Sequence, residues 1–212
     1  MTLKESIQVQ QTQLWLLRHG ECEGGDILRG QVDVPLTRRG LQQMEHALNA
    51  NLVFDHIYSS PLQRCAEFAK SFCQQQVTEL SLQPNLAELN FGDWDGAGFD
   101  TLYQQHGDAL TQFWNDPWTN KHLPPQGEPM VDFEQRVIEF IKQCASEHVG
   151  EKVLLVTHGG VIRCLMAWAL SVQRSAGFYS QLAIAYASVI QIDIFVDEQG
   201  QLHPKLYWPT IG

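Results

Sequence analysis

The chain has 212 residues, of which 44% are hydrophobic and 18% are charged, a balance typical of a folded protein with a sizeable core. Its formal net charge of −10 excludes general attraction to polyanions, so we expect no nucleic-acid partner and a local pocket for any anionic ligand. We predict one domain over residues 1–212. No apolar run reaches the ~20 residues that span a bilayer, so we expect no membrane partner.

The five cysteines are scattered and form no Cys-x-x-Cys pair. The odd number favours free thiols over a disulfide framework, and free thiols predict a cytoplasmic protein. Residues 1–13 are polar and lack the apolar centre of a secretory signal. Metal-ligating residues do not recur at the spacing of a metal site, so we predict no metal and no cofactor.

The first half of the chain alternates between strand and helix patterns. The continuous apolar run 14–17 predicts a strand that is covered on both faces. Apolar residues at helical spacing predict a helix over 37–50. A short strand over 56–59 leads into a predicted helix over 60–76, for which Ser60 is the expected N-cap.

The second half begins with a turn-rich segment, a predicted helix over 99–114 and a proline-rich stretch, which together form a cap-like excursion at about 90–130. The remaining elements are a helix over 130–148, a strand over 152–157, a helix up to Leu170, and strands over 188–196 and 206–208. This alternation predicts an α/β fold, specifically a three-layer α/β/α sandwich with a mostly parallel central sheet.

Charged side chains follow three of the predicted strands. Arg18 and His19 end the first predicted strand. Arg64 lies in the first turn of the helix that follows the strand over 56–59, and His158 ends the strand over 152–157. Because the carboxyl ends of neighbouring parallel strands meet at one edge, we expect these side chains to surround one tetrahedral dianion. Gly159 opens the next helix and adds backbone N–H donors. The pattern predicts a phosphate site.

Each residue type suits one step of phosphoryl transfer. A neutral imidazole such as that of His19 can attack phosphorus and form a phosphohistidine. Adjacent arginines disfavour the imidazolium and stabilise charge on the transferring group. The leaving alcohol needs a proton donor, and Glu88 lies among apolar and aromatic residues that favour a protonated acid. Taken singly, each of these residues has a simpler interpretation as a surface or structural residue, so the prediction depends on the set.

The same residues belong to an ordered series of motifs. In chain order these are Leu17-Arg18-His19-Gly20-Glu21, Pro35-Leu36-Thr37 with Gly40, Ser59-Ser60-Pro61-Leu62-Gln63-Arg64, Glu88 before Phe91-Gly92-Asp93-Trp94-Asp95-Gly96, and Thr157-His158-Gly159-Gly160. The series resembles the histidine phosphatase superfamily, also called phosphoglycerate mutase-like, from residue 14 to about 163. The resemblance implies that fold and a small phosphorylated substrate. It also implies a phosphorylated nucleophile at His19, phosphate ligands at Arg18 and Arg64, a charge-stabilising histidine at His158 and a general acid at Glu88.

Two positions depart from the family pattern. Relatives often carry threonine or serine, and asparagine three positions later, where this chain has Cys22 and Gly25. The asparagine contact to phosphate is then absent or is supplied by Gln31 or by a backbone amide. We therefore include Gln31 among the candidate phosphate ligands. The role of Glu21 and the oligomeric state stay open.

Within the superfamily, residues 91–96 and the stretch 124–128 leading to Phe133 and Arg136 resemble those of bacterial α-ribazole phosphatases. This implies removal of the 5′-phosphate of α-ribazole 5′-phosphate or of adenosylcobalamin 5′-phosphate in cobalamin synthesis. The alternatives are a broad-specificity sugar-phosphate phosphatase, a phosphoglycerate mutase-like enzyme and a non-catalytic phospholigand-binding protein. Five aromatic residues either form an apolar wall for a nucleoside-like base or pack between helices: Trp94, Phe99, Tyr103, Trp114 and Trp118.

Overall fold

The computed structural model describes residues 11–48 and 52–208, which contain one six-stranded sheet. The strands are β1 (Gln11–Arg18), β2 (His56–Ser59), β3 (Leu80–Leu82), β4 (Lys152–Thr157), β5 (Val189–Val196) and β6 (Leu202–Tyr207). Their order across the sheet is β3-β2-β4-β1-β5-β6. The first four in that order run parallel to one another, and β5 runs antiparallel to both of its neighbours, β1 and β6. The prediction of a mostly parallel sheet is confirmed.

The described residues form six α-helices, and three single turns of 3₁₀ helix lie between them. The α-helices are α1 (Arg38–Ala47), α2 (Gln63–Gln76), α3 (Phe99–Asn115), α4 (Met130–Glu147), α5 (Gly159–Ala169) and α6 (Ala176–Gln181). The 3₁₀ turns are Pro84–Leu86, Gly92–Trp94 and Asn120–His122. None of the helices in this part of the chain has the length and apolar character needed to cross a membrane.

Alternate residues of the central strands enter two separate hydrophobic clusters. Leu16 and Leu155 pack with the buried residues of α3, α4 and α5, whereas Leu17 and Leu154 pack with those of α1 and α2. This follows from strand geometry, since successive side chains point to opposite faces of a sheet. Helices therefore cover both faces, and the predicted three-layer α/β/α sandwich is confirmed.

The strand register brings the carboxyl ends of β1, β2 and β4 level with one another. Arg18 pairs with Thr157, and Ser59 pairs with Val156. The ladder continues one residue beyond β1, where the His19 N–H donates to the Thr157 carbonyl at 2.9 Å. The residues that follow these three strands therefore start from one edge of the sheet.

Some element boundaries differ from the predictions. α2 begins at Gln63, because Ser60 does not cap it: the Ser60 hydroxyl accepts the Leu62 N–H at 3.3 Å and contacts His158. β3 and α6 were not predicted, because β3 has no buried residue and α6 buries only Tyr179, so neither carries an apolar pattern. The last two residues of the predicted helix over 37–50 lie outside the described residues.

Candidate active site

Two glycines fix the turn that carries His19. A Cβ built on Gly20 would lie 2.1 Å from the carbonyl oxygen of Gly40 in α1, and one built on Gly40 would lie 2.0 Å from the carbonyl oxygen of Glu21. Contacts this close exclude any side chain at either position. The backbone of the turn after β1 therefore packs directly against the backbone of α1. This contact fixes the position of His19, which begins the turn.

His19 is 3% exposed, and its hydrogen bond defines its tautomer. The Nδ1 atom lies 2.8 Å from the carbonyl oxygen of Gly20, and a carbonyl can only accept, so Nδ1 carries the proton. Burial, followed by the charge of Arg64, lowers the pKa of His19 to about 3. The imidazole is therefore neutral at physiological pH, and its Nε2 lone pair is available to a ligand.

The His158 ring packs edge-on against the His19 ring, with the two centroids 5.2 Å apart. Arg64 Nε donates to His158 Nδ1 at 3.3 Å, so the proton of this imidazole is on Nε2, which donates to the Ser60 hydroxyl at 2.7 Å. His158 is fully buried, and this burial, followed by the charge of Arg64, lowers its pKa well below the usual value. The second histidine is therefore also neutral.

Arg64 is completely buried and is held by main-chain oxygens. Its Nη1 donates to the Val32 carbonyl at 2.8 Å and its Nη2 to the Gly30 carbonyl at 2.5 Å. With the bond to His158, these contacts use three of the five N–H groups of a guanidinium. Two N–H groups and the full positive charge remain for an anion.

Arg18 is the last residue of β1 and lies at the carboxyl edge of the sheet, next to His19. Its guanidinium carbon lies 4.4 Å from the centre of the Tyr186 ring, and Nη1 donates to the Ile184 carbonyl. Its Nε is buried and has no hydrogen-bond partner within the described part of the chain. A buried donor without a partner is costly, and a phosphate oxygen would satisfy it.

Glu88 is 8% exposed and is fixed by two backbone amides. Oε1 accepts from Leu89 N at 3.0 Å, and Oε2 accepts from Gly160 N at 2.9 Å. The second amide belongs to the first turn of α5, which also carries Gly159. The first turn of α5 therefore binds the Glu88 carboxylate. It also places the positive end of the helix dipole next to Glu88.

These groups meet at a cavity of about 510 Å³ at the carboxyl edge of the sheet. Arg18, His19, Glu88 and Gly159 line it, whereas Arg64 and His158 are fully buried and are not among the lining residues. The arrangement combines a neutral nucleophile, buried cations, helix-end amides and a carboxylate around one space. It suits attack by an imidazole on an anionic phosphorus centre.

A family model of the histidine phosphatase superfamily (branch 1) matches residues 14–203. The chain belongs to this superfamily. It is 29% identical to the adenosylcobalamin/alpha-ribazole phosphatase of Escherichia coli (strain K12), over 85% of this chain and 90% of that protein. It is 32% identical to "Probable phosphoglycerate mutase GpmB" of Escherichia fergusonii, over 85% and 84% of the two chains. The structure of Bacillus stearothermophilus YhfR superposes with a TM-score of 0.79 at 31% identity, over 92% of this chain and 96% of that one.

Several residues that line the same cavity were not predicted from the sequence, among them Arg29, Arg163 and Tyr186. Arg163 lies four residues after Gly159 on α5, and that spacing places both on one helix face. This signal was present in the sequence. Arg29 and Tyr186 lie outside helices and strands, where no periodicity indicates which way a side chain points.

The five aromatic residues named from the sequence fall into two groups in the structure. Phe99, Tyr103 and Trp114 line the cavity of the histidine phosphatase site, as one interpretation of the sequence expected. Trp94 is buried and stacks on a histidine of α3, and the Trp118 indole donates to a carboxylate of α4, so these two pack between elements instead. Three of the five aromatic residues therefore border the cavity, and two pack between elements.

Gln31 is not among the residues that line the cavity. Its side-chain amide donates to the Glu88 carbonyl at 3.2 Å. A direct phosphate contact therefore requires this side chain to leave its present partner.

Cys22, at the other departure from the family pattern, places its sulfur 3.4 Å from His19 Nδ1, and burial raises the pKa of its thiol. The neutral thiol is a small neighbour of the nucleophile.

An ion pair supports the loop that carries Glu88. Arg136 of α4 binds Glu128 through two parallel hydrogen bonds of 2.6 and 2.9 Å. The same guanidinium donates to the carbonyls of Asn85, Ala87 and Glu88 at 2.8, 2.9 and 3.2 Å. Arg136 thus ties the loop to α4 just before the carboxylate that faces the cavity.

Proposed function

We propose that this protein is a phosphomonoester hydrolase that works through a phosphohistidine on His19. The observation that carries the proposal is the tautomer of His19: Nδ1 is bound to a carbonyl, and Nε2 is the free lone pair at a cavity beside cationic groups. Burial and the neighbouring arginine charge keep this imidazole neutral. A neutral imidazole is the nucleophilic form, so the site needs no base to activate it.

In the first step, the phosphate group of the substrate occupies the cavity beside Arg18, His19 and Gly159. His19 Nε2 attacks phosphorus as the bond to the leaving oxygen breaks, and Glu88 in its acid form gives a proton to that oxygen. The alcohol departs, and the phosphoryl group stays on His19. Arg18 and the positive charge of the buried Arg64 stabilise charge on the equatorial oxygens in the transition state. His158 joins them when its Nε2–H turns from the Ser60 hydroxyl to the phosphoryl group.

In the second step, water attacks the phosphohistidine. Glu88, now a carboxylate, takes a proton from the water as the N–P bond breaks. Inorganic phosphate forms, and His19 returns to its neutral state with the proton still on Nδ1. The hydrogen bond from Nδ1 to the Gly20 carbonyl fixes the ring through both steps.

For the substrate, we propose α-ribazole 5′-phosphate or adenosylcobalamin 5′-phosphate. The support is the similarity to the Escherichia coli adenosylcobalamin/alpha-ribazole phosphatase over most of both chains. Phe99, Tyr103 and Trp114 offer the cavity an aromatic wall on which a base can stack.

All five cysteines are free thiols, which supports the cytoplasm as the location. A broad-specificity sugar-phosphate phosphatase is the second candidate, and the mutase candidate is favoured by the GpmB similarity.

The chemistry is tested with p-nitrophenyl phosphate and a radiolabelled phosphomonoester. We expect hydrolysis that persists in the presence of a chelator and falls on the order of a thousandfold or more in His19→Ala. Rapid quenching into alkali should trap label on the wild-type protein, since a phosphohistidine survives alkali and is lost in acid. His46→Ala, on the exposed side of α1, is the matched control and should keep both activity and label.

Two results would overturn the proposal. Hydrolysis that survives His19→Ala would remove the phosphohistidine mechanism. Phosphate binding without turnover of any ester would establish the non-catalytic phospholigand-binding alternative. The substrate is decided separately, by comparing kcat/KM for α-ribazole 5′-phosphate, sugar monophosphates and phosphoglycerates. Equal values across that panel would remove the α-ribazole proposal and leave the chemistry in place.

A further inference from the structure

Two histidines and a glutamate converge at the edge of the sheet opposite the catalytic cavity. His56 begins β2, His148 follows α4, and Glu151 precedes β4. These are the amino-terminal ends of the parallel strands, whereas His19 and His158 follow carboxyl-terminal ends. None of the three residues lines the catalytic cavity, so the proposed phosphatase chemistry does not use them.

The donor atoms are already close to the spacing of a metal site. Glu151 Oε2 lies 2.8 Å from His148 Nδ1 and 3.3 Å from His56 Nε2, and all three donor atoms lie within 4.8 Å of one another. Bonds of about 2.0–2.1 Å at tetrahedral angles would separate neighbouring ligand atoms by about 3.3 Å. Shifts of about an ångström or less would therefore bring the pairs that share Glu151 to that spacing.

The outer contact of His148 suits ligation through Nδ1. Its Nε2 lies 2.8 Å from the hydroxyl of Tyr58, which can accept an N–H. A ligating histidine usually donates its second ring N–H to such a group, and this fixes the tautomer that points a lone pair at the metal.

We propose that His56, His148 and Glu151 form a binding site for a divalent transition-metal ion such as Zn²⁺, separate from the catalytic cavity. Two imidazoles and one carboxylate select such ions over Mg²⁺ and Ca²⁺, which prefer all-oxygen ligands. The fourth position is open to water, because His56 and Glu151 are partly exposed. A bound ion would join β2 to the segment between α4 and β4. It would stabilise the fold without entering the reaction.

The test titrates Zn²⁺ into the metal-stripped full-length protein by calorimetry and follows thermal unfolding. We expect one site per chain, a Tm that rises with Zn²⁺ and not with Mg²⁺, and a visible absorption band when Co²⁺ is added instead. His56→Ala and Glu151→Gln should abolish the band and weaken Zn²⁺ binding. Tyr58→Phe removes only the outer hydroxyl and should weaken binding about 10–100-fold.

His203→Ala is the matched control, because His203 pairs with a single carboxylate, Asp197, at 2.8 Å. It should bind Zn²⁺ like the wild type. Circular dichroism checks that each variant is folded, and hydrolysis of p-nitrophenyl phosphate should be unchanged in His56→Ala. Equal Zn²⁺ affinity in His56→Ala and wild type, or no Zn²⁺ binding by the wild-type chain, would overturn the proposal.

Discussion

The main-chain amide of Gly160 donates to Oε2 of Glu88 at 2.9 Å, and a Cβ built on Gly160 would lie only 2.2 Å from Oε1 of the same carboxylate. The first turn of α5 therefore holds the candidate acid and leaves no room for a side chain beside it. Because Glu88 belongs to a loop, the orientation of its side chain towards the cavity depends on this contact.

We expect Gly160→Ala to displace Glu88 and to lower kcat for alkyl phosphates by about 10²-fold or more, since a positioned general acid contributes about 10²–10⁴-fold. p-Nitrophenyl phosphate should lose much less, because its leaving group needs little protonation. Steady-state kinetics on both substrates measures the difference. Gly107→Ala in α3, where an added Cβ meets nothing within 4 Å, is the control. Equal losses on the two substrates would contradict an effect through Glu88.

Arg136 is expected to act on the same carboxylate from the other side of the loop. Arg136→Met leaves Glu128 partly buried without its partner and frees the carbonyl of Glu88. We expect a loss of about 3 kcal/mol in the free energy of unfolding, as for other broken buried pairs. A lower kcat for alkyl phosphates should accompany it. Urea unfolding and steady-state kinetics measure the two effects.

The matched control for Arg136 is a double-variant cycle with Glu128→Gln. Coupling between the two positions separates the ion pair from the contacts that Arg136 makes with loop carbonyls. Stability that falls while kcat stays at the wild-type value would show that Arg136 supports the fold and does not position Glu88.

The fold was predictable because its buried strands are continuous apolar runs and its long helices carry clear apolar stripes. The motif residues Arg18, Arg64 and His158 follow strands, and the parallel register then places them at one edge. The short strands β2 and β4 were predicted from their apolar residues, whereas β3 and α6 were not, because β3 has no buried residue and α6 buries only Tyr179.

The direction of side chains in loops could not be predicted from the sequence either. Gln31 was named as one possible substitute for the missing asparagine contact to phosphate, and in the structure its side-chain amide donates to the Glu88 carbonyl and is not among the cavity-lining groups. Arg29, two residues earlier, does line the cavity. In an irregular segment neither a period of two nor one of 3.6 applies, so neighbouring side chains cannot be assigned to a face from sequence.

Tyr103 offers a test of the proposed substrate class. It lines the cavity and is 59% exposed, so its removal should not disturb the core. We expect Tyr103→Ala to lower kcat/KM for α-ribazole 5′-phosphate about tenfold, since stacking of a base on an aromatic ring contributes about 1–3 kcal/mol. The value for glycerol phosphate, which has no base, should stay the same.

The control for Tyr103 is Tyr207→Ala on β6, which lies outside the catalytic cavity and should change neither value. An equal loss for α-ribazole 5′-phosphate and glycerol phosphate in Tyr103→Ala would show that this ring shapes the cavity without contacting a base. That result would favour the sugar-phosphate candidate.

The two buried imidazoles make the stability of the fold depend on pH. Burial, followed by the charge of Arg64, lowers the pKa of His19 to about 3 and that of His158 well below its usual value. In the unfolded chain both histidines titrate near pH 6.5. Between that pH and the folded pKa values, the unfolded state binds more protons, so the free energy of unfolding decreases as the pH falls.

We therefore expect the protein to lose up to about 1.4 kcal/mol per buried histidine for each pH unit below about 6.5. Urea unfolding at about pH 7 and about pH 5 measures the slope. His19→Asn should make the slope shallower, because the substituted side chain has no proton to bind. His46→Asn, at an exposed position of α1, should leave the slope as in the wild type. A slope that is equal in His19→Asn and wild type would mean that His19 is protonated in the folded protein, which would contradict its assignment as the neutral nucleophile.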